Sequence, residues 1–192
     1  LKSPFSKTVF LDTDTCVAGS LDGLFVLLEH FDVLAAPAFV THDYAFERSE
    51  EPFCGIPEAF GYFNTGLFAF RQSEAGRAFV RRLQENYLRH VAPRTVNDQP
   101  AFRLTLWEGV ASFHVLPSQY NTISWAPFVV PGGGGIVMLH GRNPWLQKWV
   151  SKFRGTKGPL IVGSVSMGAL ARSQGARLLH GLQRVARRLR GP

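Results

Sequence analysis

The sequence predicts an α/β domain built on a mostly parallel, Rossmann-like sheet flanked by helices. Three observations predict it. Val9-Phe10-Leu11 and Ile136-Val137-Met138-Leu139 are short apolar runs with no polar alternation, as expected of strands buried on both faces. Within the first 36 residues, an apolar run, a helical stretch and a second apolar run follow one another. That order is a βαβ unit, for which a right-handed crossover and parallel pairing are expected. The first run also stops at two carboxylates, Asp12 and Asp14, and open α/β sheets bind ligands beyond such strand ends.

Taken in order, the first strand is followed by a turn over residues 15–20 and a helix over residues 21–29. Ser20 is its candidate cap and Gly23 its weak point. Residues 31–36 read as a second buried strand, and residues 37–57 as a polar loop. Loops of that length usually serve function, and His42 and Asp43 are its candidates for substrate contact. Residues 60–70 are β-forming on both sides of a small polar break, Asn64-Thr65-Gly66. Gly66 permits close backbone approach and Asn64 offers a donor and an acceptor; a hairpin or bulge is the plain alternative.

Residues 73–88 form an amphipathic helix with Phe79, Leu83 and Tyr87 on one face. A further helix runs to Trp107, with Asn97 or Asp98 as its natural cap and Pro100 in its first turn. Residues 110–116 read as a strand with an exit loop over residues 117–121. After glycine-rich residues 131–135, the last apolar run delivers His140, then Gly141 and Arg142, a pair suited to phosphate.

One globular domain over residues 1–150 is expected, followed by a basic amphipathic tail over residues 151–192. The formal charge of +7 belongs to that tail, which holds nine Lys or Arg and no acid. The remainder has twelve basic and fourteen acidic residues, which argues against a nucleic-acid-binding domain. Residues 166–190 read as a basic amphipathic helix with Leu178, Leu182, Val185 and Leu189 along its seam. Such a helix lies on an anionic membrane surface, docks on an acidic partner, or is a poorly ordered terminus.

No 18-residue uncharged apolar run occurs, so no transmembrane helix is expected. Two cysteines, Cys16 and Cys54, make neither a disulfide framework nor a zinc pattern, and reduced thiols in a cytoplasmic setting are expected. The chain opens on Leu1 with a strand inside its first ten residues and no signal-peptide pattern before it, so it reads as cut inside a domain.

Asp12 and Asp14 are hard oxygen ligands that an extended backbone points to one side, a seat for Mn²⁺ or Mg²⁺. His140 supplies a third candidate ligand from a second strand end. In order and rough spacing, Leu11-Asp12-Thr13-Asp14-Thr15, Phe63-Asn64-Thr65-Gly66, Asn97-Asp98-Gln99 and Leu139-His140-Gly141-Arg142 resemble the GT-A glycosyltransferases. The resemblance runs over about residues 2–145, toward bacterial nucleotide-diphospho-sugar transferases of the glycogenin and lipopolysaccharide galactosyltransferase group. It implies a GT-A fold that moves a sugar from a nucleoside-diphosphate sugar, a UDP-sugar first, to a glycan or lipid hydroxyl with Mn²⁺.

The same resemblance implies roles. Asp12, Asp14 and His140 match metal ligands, with Asp12 also reaching ribose or sugar. Asn64, Thr65 and Gly66 match the lining of the sugar and acceptor pocket. Asp98 and Gln99 match a pair near the anomeric carbon in retaining members, and Gly141 and Arg142 match diphosphate contacts. Two departures stand out. The family's lysine after the late histidine is absent, with Arg142 nearby as a planar fork instead of a point charge. The half of the nucleotide-binding sheet that precedes the Asp-x-Asp strand is also absent, so an N-terminally truncated domain is expected.

Two other classes compete. Phe10-Leu11-Asp12-Thr13-Asp14 also resembles the start of a haloacid-dehalogenase-type phosphatase, with a nucleophilic first Asp and a general-acid second. That motif expects Thr or Val where Cys16 stands and an Asp-Asp pair later, which the sequence lacks. The third class is a non-catalytic remnant that binds sugars or partners.

Overall fold

The computed structural model describes residues 3–38, 44–123, 128–130, 136–141 and 160–162. His42, Asp43, Arg142 and the basic stretch 166–190 lie outside the described residues. The chain runs β1 (Lys7–Leu11), β2 (Thr15–Val17), α1 (Asp22–Leu27), β3 (Val33–Pro37), α2 (Ala45–Ser49), β4 (Phe63–Arg71), α3 (Glu74–Asn86), α4 (Gln99–Trp107) and β5 (Phe113–Val115). It continues through β6 (Thr122–Ile123), β7 (Phe128–Val130), β8 (Met138–His140) and β9 (Leu160–Val162).

The main sheet has the order β1-β4-β3-β5. β4 is antiparallel to both β1 and β3, and β3 is parallel to β5. Three of the four strands therefore point one way and β4 runs against them, so the sheet is mixed. Their neighbours differ from the sequence expectation, because β4 stands between β1 and β3 and the βαβ unit skips a strand. The reason is hydrophobic. Residues 63–70 of β4 are buried on both faces, so β4 belongs at the centre of the sheet. β1 is only half-buried along its whole length, in place of the full burial expected of it.

Alternation along β3 and β4 divides the core into two layers. Val33, Ala35, Phe68 and Phe70 face α3 and α4, where Phe79, Leu83, Phe102 and Leu106 meet them. Phe68 packs against Phe102 at 5.2 Å and Phe79 against Phe102 at 5.6 Å between ring centroids. Leu34, Ala36, Leu67 and Ala69 face the other way, onto Leu24, Leu28, Leu116 and Met138. Each fully buried Leu or Phe contributes roughly 1.5–3 kcal/mol, so this two-sided burial sets the strand order.

Buried Asp32, just before β3, ties the layers together. Its carboxylate accepts hydrogen bonds from Ser73 Oγ (2.6 Å), Ser112 Oγ (2.6 Å), Ser112 N (3.1 Å) and Arg71 Nε (2.8 Å). Those donors hold it well below the usual carboxylate range despite its burial. Ser73 also caps α3 by accepting from Gly76 N at 3.0 Å. At Gly76, any Cβ would run into the Arg71 carbonyl oxygen, so the strand-to-helix turn admits only glycine without rearrangement.

Three segments differ from the sequence reading. The 37–57 loop contains α2 and a 3₁₀ turn, Phe53–Gly55, whose Phe53 reaches the core. Where a turn over residues 15–20 was expected, β2 begins at Thr15 straight after a turn at Thr13 and Asp14; β2 pairs with β8, and β8 with β6. Inside the stretch read as a tail, β9 pairs antiparallel with β7, Phe128 opposite Val162. Among the described residues no helix is long and apolar enough to cross a membrane.

Candidate metal centre

Asp12 lies one residue past β1, and its amide donates to Gly66 O at 3.0 Å, so it continues the β1–β4 ladder by one step. The chain then turns. Thr15 closes the turn by donating to Asp12 O from its amide (3.2 Å) and its hydroxyl (2.7 Å). An extended backbone was the expected way to bring Asp12 and Asp14 to one side. The turn does it instead, and it also reverses the chain into β2.

β2 then runs antiparallel to β8 with Thr15 opposite His140, and Gly141 N donates to Asp14 O at 3.0 Å. This short ladder delivers the imidazole to the acids. His140 Nε2 lies 3.3 Å from Asp14 Oδ1 and 3.7 Å from Asp12 Oδ2. One ligand atom from each of Asp12, Asp14 and His140 falls within 4.8 Å of the others. The His140 side chain is 13% exposed, Asp14 30% and Asp12 43%, which leaves the cluster open on the acidic side.

Burial pushes the Asp12 carboxyl above its usual range, and the neighbouring Asp98 and Asp14 carboxylates push it further, while His140 opposes them. Asp98 is the N-terminal flanking residue of α4, yet its side chain does not cap the helix. Asn97 Oδ1 takes that role by accepting from Gln99 N at 2.9 Å. Asp98 Oδ1 instead accepts from Thr65 Oγ1 at 2.6 Å. A nitrogen and two carboxylates suit Mn²⁺ and admit Mg²⁺, so the donor set fits a divalent cation.

The polar break on β4 is a bulge within one continuous strand. Ala35 pairs with Phe68 and Ala36 with Asn64, so residues 65–67 bulge on the β3 side. Buried Asn64 folds back to accept from Gly66 N at 2.8 Å. Gly66 does permit a close approach, but to the imidazole. A Cβ on Gly66 would lie 2.5 Å from His140 Nδ1 and closer still to Cε1. The Gly141 amide, expected to meet phosphate, is taken by Asp14 O. Gln99 opens α4 beside Asp98.

One residue of this cluster carried no signal in the sequence. Asn121, expected only in an exit loop, is fully buried and its Oδ1 lies 3.1 Å from His140 Nδ1. A lone Asn after Tyr120 has nothing in its sequence neighbours to mark it.

No family model matches the chain, and no curated protein sequence does. Among solved structures, the chain is similar to galactosyltransferase LgtC in complex with donor and acceptor sugar analogs. The TM-score is 0.50 at 17% identity, over 81% of this chain and 63% of that one. An active-site mutant of LgtC gives a TM-score of 0.52 at 15% identity, over 79% and 61%. The chain therefore spans less than two thirds of the length of these structural relatives. At such identities the likeness is one of fold, and the fold is that of the GT-A-like glycosyltransferases.

Proposed function

We propose that this chain belongs to the machinery of metal-assisted glycosyl transfer, moving a sugar from a nucleoside-diphosphate sugar to an acceptor hydroxyl. The observation that supports it most is the meeting of Asp12, Asp14 and His140, from two distant parts of the chain, at the strand ends of this fold. In this reading those three residues hold Mn²⁺ or Mg²⁺. When bound, the cation neutralises negative charge on the diphosphate leaving group. Asp12, the most exposed of the three side chains, also faces ribose or sugar.

Asp98, steadied by Thr65, orients sugar hydroxyls, and Gln99 faces the anomeric centre. Arg142 meets the diphosphate as a planar fork of donors. Asn64 and Gly66 shape the wall between metal seat and sugar pocket. A UDP-sugar donor, a glycan or lipid acceptor of bacterial type, and contact of residues 166–190 with an anionic membrane surface complete the proposal.

The test is calorimetric titration of UDP into the protein with and without Mn²⁺, repeated on Asp14→Ala. Mn²⁺-dependent binding that disappears in the variant is expected; unchanged affinity would remove the site assignment. Mn²⁺-dependent hydrolysis of UDP-sugars, with the product anomer followed by NMR, then reads donor and stereochemistry.

A further inference from the structure

We propose that Asn121 is a positioning residue: it fixes His140 in the Nδ1–H tautomer and so turns the lone pair of Nε2 toward Asp12 and Asp14. The inference rests on the reading of Asp12, Asp14 and His140 as a metal seat, and it adds a residue that the ligand set itself does not contain.

The hydrogen bonds of Asn121 favour one assignment. Asn121 Nδ2 donates to the Pro37 carbonyl oxygen at 2.9 Å. That bond settles which way the amide points, because the opposite orientation would set Oδ1 against another acceptor. Oδ1 then faces His140 Nδ1 at 3.1 Å, and an amide oxygen can only accept. Asn121 Oδ1 therefore draws the ring proton of neutral His140 to Nδ1, while Asp14 Oδ1, 3.3 Å from Nε2, competes for it until a cation stands between them. Nε2, the atom 3.3 Å from Asp14 and 3.7 Å from Asp12, is left as an unprotonated donor atom. Metal-bound histidines are oriented by just such a partner on their other nitrogen.

The surroundings hold this arrangement rigid. Asn121 is fully buried, its amide donates to Ser118 O at 3.0 Å, and β6 follows at once, pairing Ile123 with His140. Gly66 lies against the imidazole and leaves no room for a Cβ there. Asn121 thus connects β3, through Pro37, to the end of β8.

The direct test is a long-range ¹H–¹⁵N spectrum of the histidine ring nitrogens in the wild-type protein with and without Mg²⁺, at a pH where the ring is neutral. With Mg²⁺ present His140 is expected as the Nδ1–H tautomer; an Nε2–H signal there overturns the proposal without any variant. In Asn121→Ala the Nδ1–H preference is expected to be lost. Mn²⁺ affinity by electron paramagnetic resonance is expected to fall about 10–100-fold in Asn121→Ala. In a His140→Ala background the same substitution is expected to change it less than twofold, and equal losses in both backgrounds would overturn the proposal. A wild-type protein with the Nδ1–H tautomer that binds no Mn²⁺ would support the role of Asn121 and defeat the metal reading, so the two fail separately.

Discussion

Thr15 and His140 stand directly opposite each other in the ladder between β2 and β8, and that pairing sets the imidazole beside Asp12 and Asp14. The acids come from the turn that ends β1, and the histidine from a strand near the far end of the described fold. Each local arrangement is ordinary on its own. The candidate centre exists because the two are hydrogen-bonded together, so changes to the shell around them are as informative as changes to the ligands.

Gly66→Ala is expected to damage the centre without touching a ligand. The added methyl meets the His140 ring and the Asn64 side-chain oxygen, and such overpacking costs roughly 1–3 kcal/mol. Mn²⁺ affinity is expected to fall at least tenfold while the far-UV circular dichroism spectrum stays native. A variant with wild-type Mn²⁺ affinity would show that the ring can move without consequence.

Thr65→Val keeps the shape of the side chain and removes the hydroxyl that donates to Asp98 at 2.6 Å. Loss of such a bond to a charged group costs about 1.5–3 kcal/mol, and the freed Asp98 remains close enough to act on Asp12. Sugar transfer or donor hydrolysis is expected to drop more than tenfold with Mn²⁺ binding changed far less. Kinetics and metal titration on the same preparation separate the two effects.

Asp32 sets an acid limit on stability. Its folded-state pKa is held below the unfolded carboxylate value by Ser112, Ser73 and Arg71. The sign follows from linkage: the stabilisation is complete above the unfolded value, about 4, and is lost as pH falls from there toward the folded value. Acid unfolding followed by circular dichroism is expected to begin below about pH 4. In Asp32→Asn, stability at neutral pH is lower and its decline through that window shallower. An unchanged acid limb would show that other carboxylates dominate it.

Ser73→Ala removes two bonds at once, the cap on Gly76 N and the donor to Asp32. Capping alone is worth about 0.5–2 kcal/mol, and the second bond adds to it. Urea unfolding is expected to show a lower midpoint with an unchanged slope, since the surface exposed on unfolding is the same.

The elements whose evidence is local were legible in the sequence. The 3.6-residue pattern of α3, the helix beginning near Asp98, and the apolar runs of β1, β3 and β8 all appear in the structure. What escaped was pairing. Nothing near Val9 says that β1 lies beside β4 and stays half-buried, because that depends on the greater apolarity of a strand much later in the chain. Asn64-Thr65-Gly66 looked like an interruption, since small polar residues usually end strands; the burial on both sides carried the strand through as a bulge. β2 has three residues and no pattern of its own. At the candidate centre, Asp12, Asp14 and His140 could be named from their positions at strand ends. Asn121 and Asp32 could not, because their roles lie in hydrogen bonds to residues far away in sequence.

The ladder that joins Thr15 to His140 is only three residue pairs long, and it closes most of the described chain into a loop. Loop-closure entropy rises only with the logarithm of length, but every part of it opposes a contact this short. Among the described strand pairings, this is the one expected to form late in folding and to open early under mild denaturant. A cation gripping Asp12 and Asp14 on one side and His140 on the other would then act as a clasp on that loop. Hydrogen exchange at the amides of β2 and β8 would slow as the ion is added, so occupancy of the centre could be read from the breathing of the backbone before any sugar is offered.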